Sequence, residues 1–239
     1  MKPKQPDLRL WPWIAFVALA GLAVLALGAS QPTSEELSLL LMLMVLGALA
    51  ERYAVGLFDS HVSVGVVAVL AAAVVGGTWG VALVAPPIVL AGDLGSDSAW
   101  YKRLYNVATY LLAGAAFAGV FQAFGHRARP DDWPEVLAPA LLGALANFAI
   151  NSVLVAAAIA LSARQPLLAA WRQRYQWLLP QYLVVGLAAM ALATAYHVLG
   201  LWGLAVFAAP VAGIRHAFFL GAKAVTARLG FDQERARAA

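Results

Sequence analysis

The chain has 239 residues, 63% of them hydrophobic and only 12% charged, with a mean hydropathy of +0.79. A soluble domain is nearer half apolar and a quarter charged, so one water-soluble core cannot hide this much apolar surface and lipid is the expected solvent. There is no cysteine, which excludes disulfides, thiolate zinc sites and a catalytic thiol. The net charge of +4 does not point to nucleic acid, because the basic residues lie between and after hydrophobic segments rather than on one soluble face.

A membrane-spanning helix needs about 20 mainly apolar residues, with ~17 as a lower limit. Taken in chain order, the segments that qualify or come close are Trp11–Leu27, Glu36–Ala50, Tyr105–Phe121, Val136–Leu161, Trp177–Val198 and Leu204–Phe219. The first follows Lys2, Lys4 and Arg9 and ends in small residues near Ala29, as a signal peptide does; a retained helix is expected instead. Between the second and third lie two shorter runs, Val62–Val75 and Val81–Leu90, separated by Gly76, Gly77 and Gly80 around Trp79. These are a pair of short spans or a re-entrant hairpin buried in the bundle. The expected fold is therefore all-α: a polytopic transmembrane bundle of six long spans plus a short two-helix hairpin, forming one membrane domain over residues 1–239.

Lys and Arg concentrate on the cytosolic side of membrane proteins. With the N-terminus in the cytosol, all of the 16 Lys and Arg residues except Arg127 and Arg129 fall on that side. The two exceptions neighbour Asp131, Asp132 and Glu135. Both termini are thus expected in the cytosol, with residues 220–239 as a short basic tail suited to anionic lipid. Tryptophan gives a separate check, because its ring prefers the headgroup zone. All eight lie at expected helix ends: Trp11, Trp13, Trp100, Trp171 and Trp177 inside, and Trp79, Trp133 and Trp202 outside.

One internal similarity stands out. Gly77–Val89 reads GTWGVALVAPPIV and Gly200–Ala212 reads GLWGLAVFAAPVA, identical at six of thirteen positions. A parallel duplication and a chance match of low-complexity helices are the two explanations.

Polar groups are costly in lipid and so mark positions of interest. Asn147 and Asn151 lie four apart, which puts them on one helix face, and Gly143 extends that face. They serve either as interhelical hydrogen-bonding glue or as one wall of a ligand pocket. A second group gathers near the expected cytosolic face: Glu51, Arg52, Asp59, His61, Asp93, Lys102, Arg103 and Asn106. From these, Asn147, Asn151, Asp93, Glu51 and Asn106 are the candidate ligand-binding residues. The histidines at 61, 126, 197 and 216 have no paired metal spacing, and no phosphate loop or nucleophile elbow occurs. No catalysis, cofactor or metal is expected. The small-residue pair Ala115 and Gly119 offers a helix-packing face.

Several of these residues carry a resemblance. The stretch from Glu51 through His61-Val-Ser-Val-Gly65, the Gly-x-Trp turn, Ala91-Gly-Asp-Leu94 and Trp100-Tyr-Lys-x-x-Tyr-Asn106 resembles a bacterial membrane module. So do Asn151 with its apolar half-helix and the closing Gly-x-Trp-Gly with Pro210 before Arg215. Over roughly Glu51–Phe218 the chain is similar to the N-terminal membrane-associated sensor (MASE-type) domains that precede HD-GYP phosphodiesterase or GGDEF cyclase domains in cyclic-di-GMP signalling. The resemblance implies a sensor in the bacterial cytoplasmic membrane that relays an envelope signal to a cytosolic output domain. No output domain follows here before Ala239, so the chain is expected to be cut from a longer receptor or to act on a separate partner. The expected partners are the lipid bilayer, an unidentified small ligand, and a second copy or another protein chain, but not nucleic acid. A solute-binding transport subunit and a structural subunit of a larger membrane complex are the competing readings.

Overall fold

A computed structural model describes residues 8–27, 34–52, 56–57, 60–61, 65–96, 98–125, 130–200 and 202–203. Among them are seven α-helices: α1 Leu10–Leu27, α2 Ser34–Arg52, α3 Gly65–Gly92, α4 Trp100–Ala123, α5 Leu137–Ala163, α6 Leu167–Arg174 and α7 Leu179–Leu199. Single 3-10 turns stand at Pro130–Asp132 and Gln176–Leu178. The sole departure from an all-α fold among the described residues is a small antiparallel pairing of Gly56–Leu57 with Ser60–His61, which the hydropathy pattern does not reveal. The expected sixth long span, Leu204–Phe219, and the 220–239 tail lie outside the described residues, as does Asp59.

Four helical stretches are long and apolar enough to cross a membrane: Gly65–Gly92, Trp100–Ala123, Leu137–Ala163 and Gln176–Leu199. The first does not use its length to cross once. At Gly77 the backbone takes φ 57 and ψ −144, a combination essentially reserved for glycine, and the chain reverses. A methyl group placed on Gly65 would lie 2.7 Å from Ile88 Cγ2, whereas a straight helix would hold these residues about 34 Å apart. Near the turn, a methyl on Gly80 would collide with the carbonyl of Ala72. Thus α3 is a tight antiparallel hairpin with arms 65–76 and 78–92, about 18 and 22 Å long at 1.5 Å per residue. Its tip stands beside Gln122, at the far end of α4.

This hairpin is the buried centre of the molecule. It packs against α2, α4 and α7, and Leu70, Ala71, Ala72, Val81, Val84, Ala85 and Ile88 are completely enclosed. Around it α1 lies on α4, and α5 joins α4 to α7. Hydrogen bonds tie the outer helices: Trp13 Nε1 donates to Tyr105 Oη at 2.9 Å, and that hydroxyl donates to the Leu154 carbonyl at 2.6 Å. The outward faces remain apolar. Phe16, Leu19 and Leu22 on α1, and Leu41, Val45 and Leu49 on α2, are among the exposed large side chains, a surface suited to lipid rather than water.

The internal similarity has a structural counterpart. Gly200, which ends α7, has φ 58 and ψ −140, almost the values at Gly77. A methyl on Gly203 would strike the Ala195 carbonyl, as one on Gly80 would strike that of Ala72. The equivalence therefore extends backwards in sequence, to an alanine five residues before each turning glycine. Both Gly-x-Trp-Gly sequences reverse a helix by the same geometry.

The stretch 164–176, between the expected spans Val136–Leu161 and Trp177–Val198, contains α6. Trp171 from this helix reaches Ser152 in the middle of α5, donating Nε1–H to Oγ at 2.8 Å, and its ring lies 6.1 Å from Phe148. Trp171→Phe keeps the ring and removes the donor. It is expected to lower stability in detergent by about 0.5–1.5 kcal/mol, the net value of one such bond, as read by a thermal unfolding midpoint.

Candidate functional site

The most distinctive polar feature inside the bundle is built on α5. Gly143 lets this helix approach α4 closely: a methyl there would stand 2.8 Å from the Phe117 ring. One and two turns further along the same face, Asn147 and Asn151 open onto a pocket. The first arm of α3 contributes Val66, Val69 and Leu70, α4 contributes Tyr110 and Ala113, and α7 contributes Tyr182. The site is thus assembled from four helices.

The two asparagines are not equivalent. Asn151 Nδ2 donates to Tyr182 Oη at 2.5 Å, and the Tyr182 ring is set edge-on against Phe148 with centroids 5.1 Å apart. This is interhelical glue between α5 and α7. Asn147 is only 5% exposed, yet among the described residues no group hydrogen-bonds to its side-chain amide. Native proteins rarely leave a buried amide without partners, because the lost hydration costs about 1–3 kcal/mol. Its side chain lines the pocket.

The space is small, with room for about one water molecule, well below the ~300–1,000 Å³ usual for small-molecule sites. Among the described residues its lining holds amides, phenols and aliphatic side chains, with no carboxylate, ammonium or guanidinium. Among the described residues no group of three or more His, Asp or Glu side chains is placed to hold a metal ion.

The remaining expected residues go elsewhere. Glu51 closes the base of the hairpin: a methyl on Gly65 would lie 2.7 Å from its Oε2, and one on Gly92 would lie 2.8 Å from its Cγ. Arg52 Nη1 donates to the Leu94 carbonyl, and Arg103 Nη2 donates to the Ser96 carbonyl at 3.0 Å. Cations at carbonyls just past a helix C-terminus also complement its dipole. Ser96 Oγ donates to the Asp93 backbone carbonyl at 2.9 Å. Asp93 Oδ2 and Arg103 Nε are buried without hydrogen-bond partners among the described residues. Asn106 joins neither group. It lies on the exposed face of α4, because Tyr105, Ala108 and Thr109 take the inward positions. Of the Ala115–Gly119 pair, Gly119 has open space around it among the described residues; Gly114 makes the close approach instead, to Val81 and Val69.

Sequence reasoning missed Tyr110 and Tyr182. The available signal was a hydroxyl in an apolar helix, which needs a partner when buried and so belongs beside the asparagines. No family model, curated protein or solved structure matches this chain.

Proposed function

We propose that this protein is an integral membrane module that binds a small ligand within its helical bundle and works as a non-catalytic sensor. The observation that carries this reading is Asn147: a 5%-exposed amide with no hydrogen-bond partner among the described residues, facing a small space among four helices. Relay to the cytosolic side has a physical route. Val66 lines the pocket, and its neighbour Gly65 bears on Glu51, at the end of the bundle where Arg52 and Arg103 cap α3. An occupant pressing on Val66 therefore acts one residue from the hairpin base. This supports the role suggested by the sensor-domain resemblance, with a cytosolic output chain or domain as the receiver.

The proposed orientation puts the hairpin base and both termini in the cytosol. Its support is that Arg52, Lys102 and Arg103 gather with Trp11 and Trp100 at one end, where the two indole rings lie 5.7 Å apart. The exposed acidic residues Asp131 and Glu135 occupy the other end. The absence of cysteine makes the chain a clean background for labelling. Phe124→Cys in intact cells is expected to react with a membrane-impermeant maleimide, and Leu94→Cys only after permeabilisation. The reverse pattern would overturn the orientation.

Ligand binding itself is tested by a metabolite and lipid screen on the protein in nanodiscs, read by thermal stability. At least one compound is expected to raise the midpoint for the native protein and to leave Asn147→Leu unshifted. A screen without any shift, or one whose shifts all persist in Asn147→Leu, would refute the reading. A transport role is the second reading, favoured by one observation: the pocket wall is an arm of a broken helix, as in many transporters. Uptake of the screened ligand into proteoliposomes separates the two, since a sensor binds without flux.

A further inference from the structure

Helix α6 joins the end of α5 to the start of α7, both in stretches long and apolar enough to cross a bilayer. With eight residues it is about 12 Å long, too short to cross one itself, so it belongs at the boundary between lipid and water. The hydrogen bonds from Trp13 to Tyr105 and from Tyr105 to Leu154 set this end of α5 beside the starts of α1 and α4, the end of the bundle that holds Arg52, Lys102 and Arg103.

One side of α6 is fixed to the protein. Ala170 is completely buried, and Trp171 donates to Ser152. The other side is exposed among the described residues: Leu167, Leu168 and the following Trp177, together with Arg172 and Arg174. Arg172 stands four residues after Leu168, and Arg174 seven after Leu167, so each charge shares a side of the helix with an exposed leucine. An interfacial helix meets a bilayer in this way, with its apolar side chains among the acyl chains and its cations at the headgroups. The charge is of one sign, since no Asp or Glu occurs from Val136 to Phe231. Both arginines complement the dipole at the end of α6, but that field does not use the five N–H donors of each guanidinium.

We infer that α6 is a docking platform for an anionic phospholipid of the adjoining leaflet. Arg172 and Arg174 hold the phosphate-bearing headgroup, Leu167 and Leu168 meet its acyl chains, and Trp177 lies at headgroup level. Arginine fits because its planar fork pairs two N–H donors with two phosphate oxygens, whereas phosphatidylcholine brings a choline cation that the arginines repel. The platform is separate from the asparagine pocket, so either reading can fail without the other.

Because the chain has no cysteine, Gln173→Cys, between the two arginines, and Val198→Cys, at the opposite end of α7, each carry one fluorophore on the full chain in phosphatidylcholine nanodiscs. Quenching is compared for phosphatidylglycerol and phosphatidylcholine probes that bear a nitroxide just below the headgroup, at the same low mole fraction. At position 173 the phosphatidylglycerol probe is expected to quench as though enriched about fivefold or more, and at position 198 the two probes should quench equally. Arg172→Gln with Arg174→Gln should bring the ratio at position 173 to about one. Since both side chains are exposed, the double variant is expected to keep the native unfolding midpoint in detergent; the single variants, with intermediate ratios, serve if it does not fold. Equal quenching by the two probes at position 173 of the native protein would overturn the inference, as a basic patch made for an acidic protein partner would give. A preference that survives the double variant, or that appears equally at position 198, would overturn it too.

Discussion

Gly77→Ala is expected to destabilise the protein by about 1–3 kcal/mol through backbone strain alone, since its conformation lies where residues with a Cβ rarely go. The new methyl would also meet the Gln122 side chain, but that flexible end can move aside while the strain cannot be relieved. Gly80→Ala acts by another route. Its methyl would press on the Ala72 carbonyl, which is backbone in the opposing arm, so the arms must part at an overpacking cost of about 1–3 kcal/mol. Gly119→Ala is the control: nothing lies within 4 Å of the added carbon, and a helical glycine-to-alanine change favours the helix by about 0.5–1 kcal/mol. Unfolding midpoints of the three variants in one detergent make the comparison. Native stability in Gly77→Ala would mean that α3 is a continuous helix after all, and the central site would lose one wall.

The second large effect is a crossed pair at the asparagines. Asn151→Leu strands the buried Tyr182 hydroxyl and is expected to cost about 1–3 kcal/mol. Asn147→Leu removes a buried amide that has no hydrogen-bond partner among the described residues, so the ligand-free protein should be unchanged or more stable, because an apolar side chain of similar size suits the site better. The same variant should lose ligand binding. Function and stability thus separate at two residues one helical turn apart. Equal destabilisation by both changes would mark Asn147 as glue in the manner of Asn151 and leave the pocket without its main determinant.

Much of this was legible in the sequence because membrane helices are dictated by hydropathy over long windows. Observed α1, α5 and α7 begin and end within two residues of the apolar segments read from the chain, whereas α4 starts earlier, at Trp100, because polar Tyr101, Lys102 and Arg103 extend the helix beyond its apolar run. The α3 hairpin was readable from Gly76, Gly77 and Gly80, where clustered glycines leave few other uses for a buried segment. The shared face of Gly143, Asn147 and Asn151 followed from helical periodicity.

What escaped notice depends on tertiary contacts. Helix α6 lies in a stretch with Arg164, Arg172 and Arg174, too polar to read as a buried element, and it is anchored from outside by the Trp171–Ser152 bond. The phase of α4 decides that Asn106 faces out, and packing against α3, α5 and α1 fixes that phase. Glu51 and Asp93 are read from the sequence as one group near the expected cytosolic face; that Glu51 lies at the hairpin base, apart from the asparagines, depends on how α3 turns. Local sequence could not say which asparagine was glue, because that depends on Tyr182, 31 residues away.

What fills the space beside Asn147 separates a ligand site from interhelical packing. An experimental density map of the protein purified from its native membrane and held in nanodiscs, at a resolution that shows side chains, would decide it. The expected result is compact non-lipid density bonded to the Asn147 amide and bounded by Val66, Val69 and Tyr182, absent from the Asn147→Leu map. An Asn147 side chain turned onto a neighbouring helix, with the pocket collapsed around it, would contradict the ligand site.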